Sequence, residues 1–301
     1  MKEDIILPSW ELVNKASLIK KYYFIPAFIM TVYLTFIVAY QTAYTYINIF
    51  GLKSELISWF YNFIHQGYFY IILISAIVMF ITYIFIIPIA EGGVITLIDA
   101  YYKKDTKKYT ISSGISGGLL GFLKIFEYIN FTAIFRPIPI TTFHIFLLRM
   151  MSSNYLVPLM ISYSTCLFFS FFINTLFAYT KIIIILEDLP LFKAMSKSVH
   201  ITINNLAITF KLYLSIIIVN IRILITVILM FIFPFLISVV LAYFSTKFIA
   251  GFFIIILLIL FFSFFIIMAQ VNSVVDIFIE SLWYKAYMLG KEDDEDEDKK
   301  K

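Results

Sequence analysis

The sequence predicts an all-α integral membrane protein: a bundle of about six transmembrane helices with amphipathic helices at the membrane surface. The chain has 301 residues, of which 62% are hydrophobic and only 14% are charged. Soluble domains carry roughly 45–50% apolar and about 25% charged residues. The apolar runs reach about 20 residues, long enough to cross a bilayer as helices. They lack strand alternation, which argues against an outer-membrane barrel.

Six apolar segments are predicted to span the membrane within a single transmembrane domain, residues 1–290. The spans are 23–49, 68–90, 119–135, 155–186, 206–233 and 248–270. Lys124, Glu127 and Asn130 interrupt the third span, so a re-entrant or interfacial segment is an alternative there. Pro234 is expected to bend or end the fifth. Residues 291–301 are a block of charge, which predicts a disordered tail.

Lysine and arginine are divided unequally between two sets of connections. One set holds Lys2, Lys15, Lys20, Lys21, Lys103, Lys104, Lys107, Lys108, Lys181, Lys193, Lys197, Lys285 and Lys291. The other holds only Lys53, Arg136, Arg149 and Lys247. Because cytoplasmic connections carry the excess of positive charge, both termini are predicted to lie in the cytoplasm, with the bundle in the cell (plasma or inner) membrane.

Amphipathic segments precede three of the spans, at 9–21, 111–121 and 191–204, and are predicted to rest in the cytoplasmic interface. With them the chain divides into three units, 8–102, 108–187 and 188–290. Each unit is a surface helix, an outward span and a return span. The exits of the second and sixth spans also look alike: Glu91, Val94, Asp99 and Tyr102 correspond to Asn272, Val275, Glu280 and Trp283. A threefold repeat and a plain succession of three hairpins both remain open.

Three stretches carry a family resemblance: SWELVNKASLIKKYYFIPAF, GGVITLIDAYYKKDTKKYTISSGISGGLLGFLKI and IIIILEDLPLFKAMSKSVHIT. Together they resemble the membrane domain of some bacterial glycerophosphodiester phosphodiesterases and the stand-alone six-span proteins like it. Those families place an acidic residue at a span's end, then a Pro- or Gly-containing turn, an Ala-x-x-x-Ser helix and a polar residue. The matching residues are Glu187, Pro190, Ala194, Ser198 and Asn204 or Asn205. The resemblance implies a fold, whereas phosphodiesterase activity belongs to a separate soluble domain, for which no hydrophilic stretch here is long enough.

Arg222 is the charge that is most costly to place in the predicted spans. Eleven residues separate it from Lys211, roughly 16 Å of helix, which puts it close to the midplane. A charge there costs at least about 2.5–3.5 kcal/mol unless it faces protein or water. Asn220, Asn174 and Glu127 are its expected companions. They form either a polar interior that binds a headgroup or peptide segment, or a structural hydrogen-bonded pair that fixes helix register.

Two glycine-containing segments are further candidates. Glu91, Gly92 and Gly93 follow Pro88, which is typical either of a hinge or broken helix lining a site or of an exit from the membrane. The second candidate is the set Gly114, Gly117, Gly118 and Gly121. Their spacing puts them on one helix face, which predicts a helix-packing surface. A flexible loop is the alternative, because glycine disfavours isolated helices.

The residue pattern argues against an enzyme. His65, His144 and His200 are scattered, and none has a second His, Cys or carboxylate at metal-ligand spacing on its helix. The patterns G-x-S-x-G and H-E-x-x-H are missing. The single cysteine, Cys166, cannot form an intrachain disulfide. We therefore expect no enzymatic activity, no cofactor, no metal and no nucleic-acid partner.

These features lead to two functional hypotheses. The first is a non-enzymatic accessory factor that acts on lipids, the envelope or other membrane proteins. Its expected partners are the lipid bilayer and either anionic headgroups or another membrane protein. The alternative is a transporter or channel subunit in which Arg222, Asn174 and Glu127 line a path.

Overall fold

A computed structural model describes the backbone of residues 2–49, 51, 53–151, 153–243 and 247–298, and within these ranges every regular element is a helix. Lys2–Ile6 form a short π-helix and Ser153–Tyr155 a 3₁₀ turn. The first four α-helices are α1 (Leu7–Lys15), α2 (Ser17–Ile49), α3 (Lys53–Ile64) and α4 (Phe69–Tyr102). The next four are α5 (Ile111–Ala133), α6 (Pro137–Met150), α7 (Leu156–Leu176) and α8 (Thr180–Glu187). The last three are α9 (Leu191–Asn204), α10 (Leu206–Tyr243) and α11 (Lys247–Asp298).

Five segments are long and apolar enough to cross a membrane, and the bent pair α9 and α10 makes a sixth if it counts as one span. The five are Ser17–Val38, Phe69–Tyr102, Ile111–Met150, Leu156–Glu187 and Gly251–Lys291. The sequence-based expectation of an all-helical chain with about six such segments is confirmed. The bend between α9 and the first part of α10 is 101°, so α9 lies across the direction of the helix that follows it.

The sequence predicted that the glycine-rich segment 111–121 forms a separate helix at the membrane surface. In the structure this segment is instead the first half of α5. Thr110 begins the helix, because its hydroxyl accepts a hydrogen bond from the Ser113 backbone N–H at 3.2 Å. Such a cap satisfies one of the unpaired donors of the first turn. Tertiary packing against α4 then outweighs the low helix propensity of the glycines.

Three other helix boundaries differ from the prediction. The fourth span is divided at residues 177–179 into α7 and α8. The fifth continues through Pro234 to Tyr243, so the proline does not end this helix. The charged segment 291–301, expected to be disordered, is helical through Asp298. Glutamate and lysine are good helix formers, and extending an existing helix needs no new nucleus.

The core lies at one end of the bundle, where the predicted cytoplasmic connections are. It is formed by α1, α8, α9 and residues 17–27, 87–102, 111–132, 208–216 and 265–290, which we call the packed end. Its fully buried side chains include Leu12, Ile19, Ile95, Ile98, Ile125, Ile183 and Tyr287. Residues 69–86 of α4 and 251–264 of α11, by contrast, expose most of their apolar side chains. We call these two segments the apolar end.

Candidate functional site

Three charged side chains, each from a different predicted unit, meet inside the packed end. Glu91 comes from α4, Lys181 from α8 and Glu280 from α11. The Lys181 Nζ atom lies 3.4 Å from Oε2 of Glu91 and donates a hydrogen bond to Oε1 of Glu280. The three side chains are only 17%, 10% and 12% exposed, in the order Lys181, Glu91, Glu280. We call this group the ion triad.

The ion triad is unbalanced in charge and in hydrogen bonding. It has two carboxyl groups and one ammonium group. Oε2 of Glu91 and Oε2 of Glu280 are buried without a hydrogen-bond partner among the described residues. The 3.4 Å approach of Lys181 to Glu91 is therefore an ion pair without hydrogen-bond geometry. Burying a carboxylate oxygen that has no donor costs free energy, so the triad is incompletely satisfied.

A break between two helices gives Lys181 its position. The Ser198 hydroxyl, from α9, donates to the Leu176 carbonyl at 2.8 Å and accepts from the Tyr179 N–H at 3.2 Å. The Tyr128 hydroxyl donates to the Phe177 carbonyl at 3.2 Å. These bonds provide partners for backbone groups that the break removes from the helix. α8 can therefore begin afresh at Thr180 and bring Lys181 to the triad.

Glu187 shows a fully satisfied carboxylate a short distance along α8. Lys197 Nζ donates to both of its oxygens, at 2.8 and 2.7 Å. The Tyr287 hydroxyl donates at 2.6 Å, and Lys291 Nζ lies 3.6 Å away. Glu187 thus joins α8, α9 and α11 with a surplus of positive charge, whereas the ion triad joins α4, α8 and α11 with a deficit.

The predicted polar interior around Arg222 is not assembled by the described side chains. The Asn174 amide donates to the Phe135 and Ser170 carbonyls, both at 2.7 Å. Glu127 is exposed on α5, and Asn220 is half-buried on α10. The side chain of Arg222 lies outside the described residues, so a polar interior centred on it stays a prediction.

Glu91, Gly92 and Gly93 lie within an unbroken helix, because α4 runs from Phe69 through Pro88 to Tyr102. All three are buried. The structure contains no break here, and a hinge motion at this place stays a prediction.

The predicted glycine face of α5 lies against α4. A Cβ atom at Gly118 would stand 2.0 Å from the Ile89 carbonyl oxygen, and one at Gly93 would stand 2.4 Å from the Gly114 carbonyl oxygen. Cβ atoms at Gly117 and Gly121 would collide with the side chains of Thr96 and Ile185. The two backbones therefore approach so closely that only glycine fits at the centre of the contact. The close contact sets the position of α4 along α5, and with it the position of Glu91, two residues before Gly93, in the packed end.

Lys181 and Glu280 are not recognisable as site residues from their local sequence. Each stands where a span is expected to leave the membrane, and charges there are ordinarily solvated. Their depths do not correspond either, because Lys181 lies inside the predicted fourth span and Glu280 lies ten residues beyond the predicted sixth.

No family model, no curated protein and no solved structure matches the chain. The resemblance to the membrane domain of glycerophosphodiester phosphodiesterases therefore stays a prediction. The structure does assign physical roles to two residues that carry it. Ala194 is fully buried, and Ser198, one turn later, supplies the hydrogen bonds at the break between α7 and α8.

Proposed function

We propose that this chain is a multi-pass protein of the cell membrane, with both termini in the cytoplasm. We propose further that it acts without enzymatic chemistry, as an accessory factor on lipids or on other membrane proteins. The observation that carries the proposal is the division of the molecule into a packed end and an apolar end. It supports a bundle whose apolar end is solvated by lipid and whose packed end presents a shaped surface to the cytoplasm.

The apolar end supports the membrane placement. Side chains such as Ile71, Phe80 and Phe262 are 67%, 62% and 63% exposed. Contiguous exposure on this scale is unfavourable in water, whereas acyl chains solvate it. The backbone of these segments is helical, so its polar groups are paired internally, as a bilayer requires.

The loop between α4 and α5 supports contact with anionic headgroups. Lys103, Lys104, Lys107 and Lys108 are all exposed there. Asp105 Oδ1 accepts the backbone N–H groups of Lys107 and Lys108, at 3.1 and 3.2 Å, which holds the loop in a turn. Lysines near an anionic leaflet each contribute about 1 kcal/mol of attraction. We call residues 103–108 the basic loop.

Cysteine labelling tests the orientation. In a Cys166→Ser background, Lys104→Cys is expected to react with a membrane-impermeant maleimide only when the cytoplasmic face is open. Ser54→Cys, in the first turn of α3 and beyond the far end of α2, is expected to react in intact cells. The reverse pattern, or reaction of both positions from one side, would refute the proposed topology.

Lipid retention tests the accessory role. The purified protein in mixed micelles is expected to retain phosphatidylglycerol in preference to phosphatidylcholine in native mass spectra. Combined Lys104→Gln, Lys107→Gln and Lys108→Gln changes should remove that preference, and Lys53→Gln should leave it unchanged. Equal retention of both lipids by the wild-type chain would contradict headgroup binding and leave a protein partner as the accessory target.

A transporter is the second candidate function, and the observation that favours it is the ion triad with its two unpartnered oxygens. Ionisable residues inside membrane proteins often mark ion or substrate pathways. A path predicts that Glu91→Cys reacts with small, water-soluble thiosulfonates in the folded protein. If the variant elutes as a folded monomer and stays unreactive, the triad is sealed and this candidate fails.

A further inference from the structure

The geometry of the ion triad points to a buried proton-binding site: we infer that Glu91 and Glu280 together hold one proton, which makes the triad electrically neutral. This inference does not depend on which membrane component the packed end contacts. It concerns the protonation state of the ion triad in the folded protein at neutral pH.

The charge count is the first argument. With both carboxyl groups ionised, the triad carries one net negative charge among side chains that are at least 83% buried. A buried, uncompensated charge is strongly disfavoured, and a carboxyl group in that position takes up a proton instead. Binding of a single proton removes the imbalance.

The unpartnered oxygens are the second argument. An ionised carboxylate only accepts hydrogen bonds, whereas a protonated one also donates. Glu91 and Glu280 both reach the same ammonium group and interact electrostatically with each other. Protonating one of them removes the charge from one buried carboxyl group, which lowers the cost of leaving its oxygen without a donor. Paired carboxyl groups that share a site commonly hold one proton for this reason.

Among the described residues, Lys181 is the one cation that forms a salt bridge with these carboxyl groups. The α5 helix contributes Tyr128, which interacts with all three members of the triad. The α11 helix contributes Asp276, which interacts electrostatically with Glu280. On α4, Tyr83 interacts with Glu91. Arg136 is the further cation in these surroundings: it interacts with Tyr83 and Tyr128 but forms no salt bridge with Glu91 or Glu280.

A proton fits this site better than a metal ion does. Among the described residues, no group of three or more His, Cys, Asp or Glu side chains could hold a metal. The triad offers two carboxyl groups, and the Lys181 ammonium repels a cation. Glu187 provides the internal contrast, because its lysine and tyrosine donors satisfy it without a proton.

Infrared spectroscopy of the wild-type protein, in detergent or nanodiscs, tests the inference directly. At neutral pH it should show the carbonyl stretch of a buried protonated carboxyl group, which shifts in deuterium oxide. Glu91→Gln or Glu280→Gln should remove that band, whereas Glu187→Gln should leave it. Absence of the band from the wild-type spectrum at neutral pH would overturn the inference.

Melting temperatures across pH provide the second readout. Deprotonation at high pH leaves the buried triad negatively charged, so the wild-type melting temperature should fall as pH rises. At least one of the two glutamine variants mimics the protonated state, and it should lack this fall and match or exceed the wild type at alkaline pH. If both variants melt below the wild type at every pH, both carboxyl groups are ionised and the triad is only a structural ion pair.

Discussion

The two halves of α4 differ in their surroundings and in the size and charge of their side chains. Residues 69–86 are rich in phenylalanine, isoleucine and tyrosine, and most of their side chains are exposed. Residues 87–102 include Ala90, Gly92, Gly93 and Ala100, and most of their side chains are buried. Lipid is as apolar as a leucine side chain, so large apolar side chains give helices in a bilayer no reason to associate. Small residues promote association because they let two backbones approach closely. Charged side chains can then be enclosed between the helices.

The largest expected effect comes from removing Lys181, the cation of the ion triad. Lys181→Met leaves two buried carboxyl groups without their common partner. Breaking a buried ion pair in this way typically costs about 3–5 kcal/mol. Thermal unfolding followed by size-exclusion chromatography should show this loss, and Lys107→Met, at an exposed lysine, should melt like the wild type. A stable Lys181→Met protein would show that the triad contributes little to the packing of α4, α8 and α11.

A large-to-small change in each half of α4 tests the comparison itself. Ile98 is fully buried and Ile74 is 61% exposed. Ile98→Ala should therefore destabilise by about 2–5 kcal/mol, whereas Ile74→Ala should change stability by less than about 0.5 kcal/mol. Equal losses, measured by the same melting assay, would mean that residues 69–86 are covered by protein rather than by lipid.

A smaller effect is expected where α4 and α5 touch. Gly118→Ala places a methyl group against the Ile89 carbonyl and should cost about 1–3 kcal/mol through overpacking. Gly251→Ala is the matched control, because a Cβ atom there meets nothing within 4 Å. That change should be neutral or stabilise the helix by up to about 1 kcal/mol. If the two variants melt alike, the close backbone contact is not required.

The sequence allowed prediction of whatever depends on composition along one helix. Long apolar runs predict an all-helical chain. The observed helix starts at Ile111 and Leu156 lie within a few residues of the predicted ones. The break at residues 177–179 was not predictable, because Ser198 and Tyr128, far away in the chain, satisfy its backbone groups. The glycines of α5 left helix and loop open for a similar reason: their propensity is local, whereas their contact with α4 is tertiary.

The candidate site was the least predictable part. Arg222 is predicted as a site residue because the free-energy cost of a buried charge follows from its depth in the membrane alone. The ion triad depends on three helices that meet, and no single segment reveals such a meeting. In the sequence, Glu91 is marked only by the proline and glycines near it. Lys181 is one of many lysines predicted to lie near the membrane surface.

The length of α11 has a geometric consequence. Its 52 residues form one helix, roughly 78 Å long, more than twice the thickness of a hydrocarbon core of about 30 Å. One continuous backbone therefore joins the apolar segment 251–264 to Glu280, whose carboxyl group pairs with Lys181 of α8.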